Sequence, residues 1–272
     1  MTTSFDIAFI GGGNMATAII GGLLRQGRAA QSILVIDPNP DQRQRLSNTL
    51  GVVTHPEADV ALSSASVVVW AVKPQQFKDA AAACAAHTVK ALHYSVMAGL
   101  RTDDMARWLG TARIVRAMPN TPALVGQGMT GLFARPEVTA NERQQVQDMV
   151  SPTGQWTWVE QEAHLDAVTA LSGSGPAYVF YFLEAMTQAA TDMGLSAEQG
   201  RTLALATFSG ATSLAAQSSE SPSVLRERVT SKGGTTYAAL TSLETSGVKS
   251  AFVAAMRAAQ QRAGELGDEF GR

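Results

Sequence analysis

Three consecutive glycines, Gly11–Gly13, constrain this chain more than any other feature, because they lie between an apolar strand and a helix. Residues 6–10 predict the strand and residues 15–26 predict the helix. In a turn of the form GxGxxA, the first glycine permits a sharp bend and the second lets the backbone approach a pyrophosphate. The small last residue keeps the helix close to the sheet. A glycine-rich turn that binds nothing is the less favoured alternative. We therefore expect a bound dinucleotide to contact Gly11, Gly13, Asn14, Met15 and Ala16.

An acidic residue, Asp37, closes the second predicted strand at about the spacing, ~20 residues, that follows such a loop. A carboxylate there hydrogen-bonds the ribose 2′-hydroxyl of NAD and repels the 2′-phosphate of NADP. Asn39 and Arg43 follow at once and would favour that phosphate, and Asp37 would alternatively cap the next helix. The sequence leans towards NAD but leaves the preference between NADH and NADPH open.

Strand and helix signals alternate in the first part of the chain, which is typical of βαβ units and a parallel sheet. Beyond about residue 161 only helical periodicity remains. With 272 residues and ~100–200 residues per domain, two domains are expected. The prediction is a Rossmann-type doubly wound parallel sheet in residues 1–161, followed by an all-α substrate and dimerisation domain in residues 162–272. A helical bundle of no special function is the alternative for the second part. The predicted helices of that part are residues 165–171, 177–193, 197–217, 224–230 and 235–264.

Charge and residue content exclude several classes of function. The formal net charge is -2, without the basic excess of a protein that neutralises phosphates of nucleic acid. The single cysteine, Cys84, excludes a disulfide framework, and the histidines lack metal-ligand spacing. No apolar run approaches the ~18 residues of a membrane span, and Met1–Ser4 show no targeting signal. We expect a cytoplasmic protein with no metal site, no nucleic-acid partner and no membrane partner.

Six sequence blocks, taken together and in order, resemble the pyrroline-5-carboxylate reductase family over nearly the whole chain. The blocks are Gly11–Met15, Ala71–Gln75, Ala98–Gly99, Arg116–Pro122, Gly173–Tyr178 and Ser231–Thr236. The resemblance implies an enzyme that transfers hydride from NAD(P)H to (S)-1-pyrroline-5-carboxylate and so makes L-proline. It also implies interleaved dimers that assemble into larger rings.

The loop before the helix predicted from residue 235 carries the expected substrate site. Gly233 and Gly234 leave backbone N–H groups free just before a helix, which suits a carboxylate. An ordinary capped turn is the alternative. The resemblance implies that the substrate carboxylate is held by Ser231, Gly233, Gly234, Thr235 and Thr236. It also implies that the Thr236 hydroxyl lies near the substrate nitrogen as the catalytic group.

Three further segments are expected to contact the cofactor. Val72, Lys73 and Pro74 end a central strand, where ligands of doubly wound sheets bind. Ala98 and Gly99 end the next strand, beside the expected nicotinamide. Asn120, in a stiff loop between two prolines, offers an amide towards the cleft. A surface lysine at residue 73 and a rigid interdomain turn at residue 120 are the alternatives.

The chain departs from the family pattern at three positions. Lys232 stands where the family has proline, Met97 where it has alanine, and Ala58 where it often has asparagine. These departures concern contacts of the cofactor and the substrate rather than the family itself.

Residues 173–183 contain no Lys, His, Asp or Glu, and Glu184 is the first of these residue types. A ketone reductase needs an acid or base at the reacting oxygen, whereas a cyclic imine can arrive already protonated. This absence fits imine reduction better than a β-hydroxyacid dehydrogenase, which would have a lysine there. A protein that binds NAD(P)H without turnover is the alternative outside the enzymes.

Overall fold

The structure, a computed structural model, describes residues 4–271. Its strands are β1 (Ile7–Ile10), β2 (Ile33–Ile36), β3 (Val53–His55), β4 (Val67–Trp70), β5 (Leu92–Ser95), β6 (Ile114–Met118), β7 (Gly128–Ala134) and β8 (Gly154–Trp158). They form one sheet in the order β3-β2-β1-β4-β5-β6-β7-β8. Neighbouring strands are parallel except for β6 and β7, which are antiparallel. The strand order reverses direction between β1 and β4, and this is the switch point at which doubly wound sheets bind ligands.

The helices fall into two groups. Between and after the strands lie α1 (Asn14–Arg25), α2 (Pro40–Leu50), α3 (Phe77–Thr88), α4 (Thr102–Leu109), α5 (Ala140–Val150) and α6 (His164–Val168). The helical part continues with α7 (Gly175–Asp192), α8 (Ala197–Gln217), α9 (Pro222–Arg228), α10 (Thr235–Thr245) and α11 (Val248–Phe270). Between α6 and α7, Thr169–Gly173 form a wider π-helical turn.

The chain divides into two compact units. One comprises the residues up to Ser174 together with those from Ala259 onward, and the other comprises Gly175–Ala258. The helix α11 therefore contributes residues to both units. The predicted division after residue 161 concerns the roles of the two parts and stays a prediction.

The sheet is covered on both faces. Because successive side chains of a strand point to opposite faces, Ile7 and Phe9 of β1 join one apolar cluster, and Ala8 and Ile10 join the other. All four residues of β1, β2, β4 and β5 are buried. For β1, β2 and β4 this explains why the strands are continuous apolar runs in the sequence, whereas β5 also buries His93 and Ser95.

Individual residues in the sequence determine where several helices begin or end. The Asn39 side chain accepts hydrogen bonds from the backbone N–H groups of Asp41 and Gln42, and Pro40 is the first residue of α2. The asparagine cap and the proline therefore fix the start of α2. The predicted single helix over residues 235–264 is wrong, because the chain breaks between α10 and α11 at Gly247, whose φ of 66° ends a helix.

Candidate active site

The three loop glycines lie at the carboxyl end of β1, and each has different surroundings. Gly11 has a φ of 93°, and a Cβ atom there would lie 2.6 Å from the Ala71 carbonyl oxygen. The Gly12 N–H donates to Oδ2 of Asp37 at 2.8 Å. At Gly13, an added Cβ would meet no atom within 4 Å. Gly11 is therefore required by the fold, whereas the absence of a side chain at Gly13 leaves open space above the loop.

That open space lies at the N-terminus of α1. Among residues 4–271, no side chain caps this terminus, and the first turn contains no acidic residue. The first N–H groups of a helix lack intrahelical partners and carry partial positive charge. The loop and the helix therefore fit the pyrophosphate of a dinucleotide, as the motif predicts.

Asp37 holds the loop in place. Its Oδ2 accepts the Gly12 N–H, and its Oδ1 accepts the Asn39 N–H at 2.9 Å. The Arg43 guanidinium donates to the carbonyl oxygens of Asp37 at 2.7 Å and Pro38 at 2.9 Å. Each carboxylate oxygen can accept a second hydrogen bond, so the side chain can still bind a ribose hydroxyl.

A cavity of about 370 Å³ opens beside the loop at the carboxyl ends of β1, β2 and β4. Its lining residues include Gly11, Pro38, Glu57, Ala58, Val72 and Cys84. Three predicted features, the glycine loop, Val72 and the departure at Ala58, therefore meet in one cavity. Burial raises the pKa of the Cys84 thiol to about 11, so this thiol stays protonated at neutral pH.

Two more predicted cofactor segments follow neighbouring strands. Lys73 is exposed beyond β4, and Pro74 begins a short 3-10 turn over Pro74–Gln76. Beyond β5, Ala98 is exposed and Gly99 is buried with a φ of 80°. Residues 71–74 and 97–99 lie at one edge of the sheet, because β4 and β5 are parallel neighbours.

The family departure at Met97 lies below that edge rather than on it. Its side chain is 3% exposed and belongs to the apolar cluster on one face of the sheet. A methionine fills irregular core space. The substitution therefore changes packing beneath the loop.

Both the nitrogen and the oxygen of the Asn120 side-chain amide form hydrogen bonds. Its Nδ2 donates to the Ser172 carbonyl oxygen and hydroxyl, each at 3.2 Å, and its Oδ1 accepts the Met129 N–H at 2.9 Å. Ser172 lies in the π-helical turn, where the bond from Ser174 N–H to the Thr169 carbonyl spans five residues. The Asn120 side chain therefore joins this turn to β7, and its contact with the cofactor stays a prediction.

The sequence analysis missed a buried charged cluster at the same sheet. The Arg116 side chain in β6, 5% exposed, donates to Glu162 at 3.0 Å and lies 4.0 Å from Asp166. Glu162 also accepts the Thr102 N–H at 2.8 Å, and so it caps α4. Burial raises the pKa of Asp166, although Arg116 opposes this shift. A charged residue inside an apolar strand, Arg116, was the available sequence signal.

The predicted substrate loop lies in the second compact unit. Gly233 has a φ of 74°, and the Gly234 N–H donates to the Ser231 carbonyl at 3.0 Å. Within the described part of the chain, no side chain caps α10, and the half-buried Thr236 hydroxyl makes no hydrogen bond. This turn therefore offers free backbone donors and a free hydroxyl side by side, while Lys232 is exposed next to them.

Within residues 4–271, no group of three or more His, Cys, Asp or Glu side chains could hold a metal ion. No helix of that part is long and apolar enough to cross a membrane.

Comparisons with known proteins agree with these features. A family model described as Pyrroline-5-carboxylate reductase dimerisation matches residues 162–266, and one described as NADP oxidoreductase coenzyme F420-dependent matches residues 6–99. The pyrroline-5-carboxylate reductase of Pseudomonas aeruginosa is 42% identical over 268 residues and covers 98% of both chains.

Two solved structures are similar over their full length. That of a pyrroline-5-carboxylate reductase from Coxiella burnetii has a TM-score of 0.90 at 38% identity, covering 97% of this chain and 98% of that one. That of Plasmodium falciparum pyrroline carboxylate reductase with NADP bound has a TM-score of 0.87 at 26% identity, covering 98% and 100%. The predicted fold class and the predicted family are both confirmed. This chain belongs to the pyrroline-5-carboxylate reductase family.

Proposed function

We propose that this chain reduces (S)-1-pyrroline-5-carboxylate to L-proline with hydride from NADPH or NADH, as the last step of proline synthesis. The observation that carries the proposal is a pair of uncapped helix N-termini, each preceded by a glycine turn and free of acidic residues in its first turn. The substrate carries a carboxylate and the cofactor carries phosphates, and helix N-termini favour such anionic groups.

The cofactor site lies in the first compact unit. The pyrophosphate lies on Gly13 and the free N–H groups of Asn14 and Met15, with Ala16 keeping α1 close to the sheet. Asp37 binds the ribose, and the cavity that Gly11 and Val72 line takes the adenosine end. Lys73, Pro74, Ala98, Gly99 and Asn120 border the rest of the cofactor. When bound, the nicotinamide supplies the hydride.

The substrate site is the turn at α10. The backbone N–H groups at the start of α10, after Gly234, hold the carboxylate together with Ser231 and Thr235. The Thr236 hydroxyl hydrogen-bonds the ring nitrogen and so orients the carbon of the imine for attack. The imine binds already protonated, so the nitrogen keeps its proton as the carbon gains the hydride. Orientation of the two ligands then supplies most of the rate.

We also propose that the two parts of the chain bind different ligands and that the protein forms a homo-oligomer. Residues 1–161 hold the cofactor, and residues 162–272 hold the substrate and make the homo-oligomer. The region that matches the dimerisation model carries several exposed large apolar side chains, including Phe180, Tyr181 and Leu203. The dimers are interleaved and assemble into rings. The enzyme works in the cytoplasm, where its single cysteine stays reduced.

Replacement of Thr236 tests the catalytic assignment. A lost neutral hydrogen bond costs ~0.5–1.5 kcal/mol, and more when the partner is charged, so Thr236→Ala should lower kcat/KM about ten- to a hundredfold. Affinity for NADPH should stay within twofold, because the cofactor residues belong to the other unit. Thr236→Ser, which keeps the hydroxyl, is the matched control and should retain most of the activity.

Two results would contradict these statements. Activity of Thr236→Ala close to that of the wild type would mean that the hydroxyl only shapes the start of the helix. If the wild-type protein binds NADPH but oxidises it with neither pyrroline-5-carboxylate nor any other cyclic imine, the protein is a binding protein rather than a reductase.

A further inference from the structure

The last two turns of α11 pack against the loop that follows β5. A Cβ atom on Gly99 would lie 3.0 Å from Cδ2 of Phe270 and 3.1 Å from Cβ of Leu266. Gly99 therefore rests on α11, and Phe270 also packs on the apolar cluster to which Met97 and Leu100 belong.

Polar contacts fix the same part of α11. The Arg101 guanidinium lies 2.8 Å from the Asp268 carboxylate and donates to the Gly264 carbonyl at 3.3 Å. Arg107 of α4 donates to the Gly271 carbonyl at 3.4 Å. These contacts from the loop and from α4 together fix the position of the C-terminal end of α11.

A glycine at position 99 has two consequences. It permits a φ of 80° and the close approach of Phe270, but it also leaves the loop with the large conformational freedom of glycine. Gly99 has no side chain that could hold the loop in place. The side chains that restrict the loop are therefore those of Phe270 and Leu266 on α11.

We propose that Phe270 is a positioning residue for hydride transfer, because it fixes the backbone of Ala98 and Gly99 on which the nicotinamide ring lies. This inference rests on the proposed function, which puts the nicotinamide at that loop. A displacement of ~1 Å at a reacting centre can cost about a hundredfold in rate. The adenosine end, bound in the cavity at Gly11 and Val72, is not in contact with this loop and should not respond.

Substitution of Phe270 with paired ligands tests the proposal. Phe270→Ala should weaken NADPH or NADH binding or lower kcat about tenfold, and should raise the primary isotope effect with 4-deuterated cofactor. Affinity for ADP-ribose and for its 2′-phosphorylated form, which lack the nicotinamide, should stay within twofold of the wild type. Phe270→Leu restores an apolar contact and should recover most of the loss. Thermal unfolding of each variant shows that the protein is folded.

The outcomes separate this inference from the proposed function. Unchanged cofactor binding, kcat and isotope effect in folded Phe270→Ala would overturn it. A parallel loss of ADP-ribose and NADPH affinity would also overturn it, because Phe270 would then only support the fold. If the wild-type protein shows no reductase activity, the proposed function fails, yet the difference between NADPH and ADP-ribose binding in Phe270→Ala still decides the role of Phe270.

Discussion

A side chain at residue 13 would meet no protein atom within 4 Å, whereas one at residue 11 would meet the Ala71 carbonyl oxygen. The sequence assigned different roles to Gly11 and Gly13, and the structure supplies the physical reason. Gly13→Val should therefore fold normally and lose at least tenfold in NADPH affinity, since the branched side chain fills the proposed pyrophosphate space. Fluorescence titration measures the affinity. Gly11→Ala is the contrasting variant and should lose stability instead. Full NADPH affinity in folded Gly13→Val would put the pyrophosphate elsewhere.

Asp37 holds the glycine loop and, as proposed above, also binds the ribose, and two substitutions separate these roles. Asp37→Asn removes the charge but can keep one oxygen for the N–H of Gly12 or Asn39, whereas Asp37→Ser shortens the side chain away from both. Both variants should raise kcat/KM with NADPH relative to NADH, because an anion beside the 2′-phosphate is gone. Asp37→Ser should also lose ~1–2 kcal/mol of stability for its two unpaired N–H groups, and Asp37→Asn, which keeps one of the two hydrogen bonds, should lose less. An unchanged ratio of the two kcat/KM values would mean that Asp37 serves the loop alone.

His93 makes the fold sensitive to acid. Burial lowers its pKa to about 4 from the usual 6.5, and nearby Arg113 adds to this shift, while the Thr88 backbone opposes it. Its Nδ1 accepts the Trp70 indole N–H at 3.0 Å, so the neutral ring is the form that fits. The unfolded chain binds a proton below pH 6.5 and the folded chain only near pH 4. Stability therefore falls as the pH falls through this range.

The size of that effect can be measured by urea unfolding at one protein concentration. Between pH 7 and pH 5, His93 should account for a loss of about 2 kcal/mol in the free energy of unfolding. His93→Gln cannot take up this proton, so its loss over the same range should be smaller by that amount. An equal loss in both proteins would assign the acid sensitivity to carboxylates instead.

At the scale of elements, the sequence predicts those whose signals are local. The helix over residues 197–217 was predicted with its observed bounds, because Ser196 and Gln199 form a capping box at its start. The strand β7 was missed because it contains Gly128 and Gly131, which weaken a strand pattern. A Cβ atom on Gly131 would lie 2.7 Å from Val168. Close packing between β7 and Val168 therefore requires a glycine at this position, and that glycine weakens the strand pattern in the sequence.

Parts of the site that depend on distant pairs could not be predicted in this way. The start of α4 at Thr102 is capped by Glu162, sixty positions further along the chain. Pairing over such a distance depends on how β6 and α6 pack and leaves no periodic trace in the sequence. By contrast, the glycine loop and the turn at α10 were predictable, since the residues that shape each of them are contiguous.

The π-helical turn before α7 depends on Asn120. Asn120→Ala removes two donor bonds to Ser172 and one acceptor bond from Met129, and should cost about 1–3 kcal/mol of stability. Asn120→Asp keeps the acceptor for Met129 but loses the donors to Ser172, so its loss should be intermediate. Thermal unfolding ranks the three proteins. Equal stability of Asn120→Ala and wild type would show that the turn holds without this side chain.

At the scale of the whole molecule, the second unit exposes large apolar side chains. Phe180 is 57% exposed in a groove that also includes Leu183 and Leu205. The protein should sediment as a dimer or larger at micromolar concentration, and Phe180→Asp should shift it to smaller species. Val60→Asp changes an equally apolar residue, 76% exposed in the first unit, and should leave the assembly unchanged. A wild-type monomer would contradict the proposed assembly.

The shared helix α11 also sets an order of events during synthesis. The first unit needs the residues from Ala259 onward, and these emerge from the ribosome only after all of Gly175–Ala258. At ~5–20 residues per second, Phe270 follows Gly99 by roughly ten to thirty seconds. A nascent chain can therefore form the cavity beside Gly11 and Val72, where we propose that the adenosine end binds, while the loop at Gly99 still lacks its contact with Phe270. Affinity for the nucleotide would then precede competence for hydride transfer, and the second property would arise only when translation reaches the end of α11.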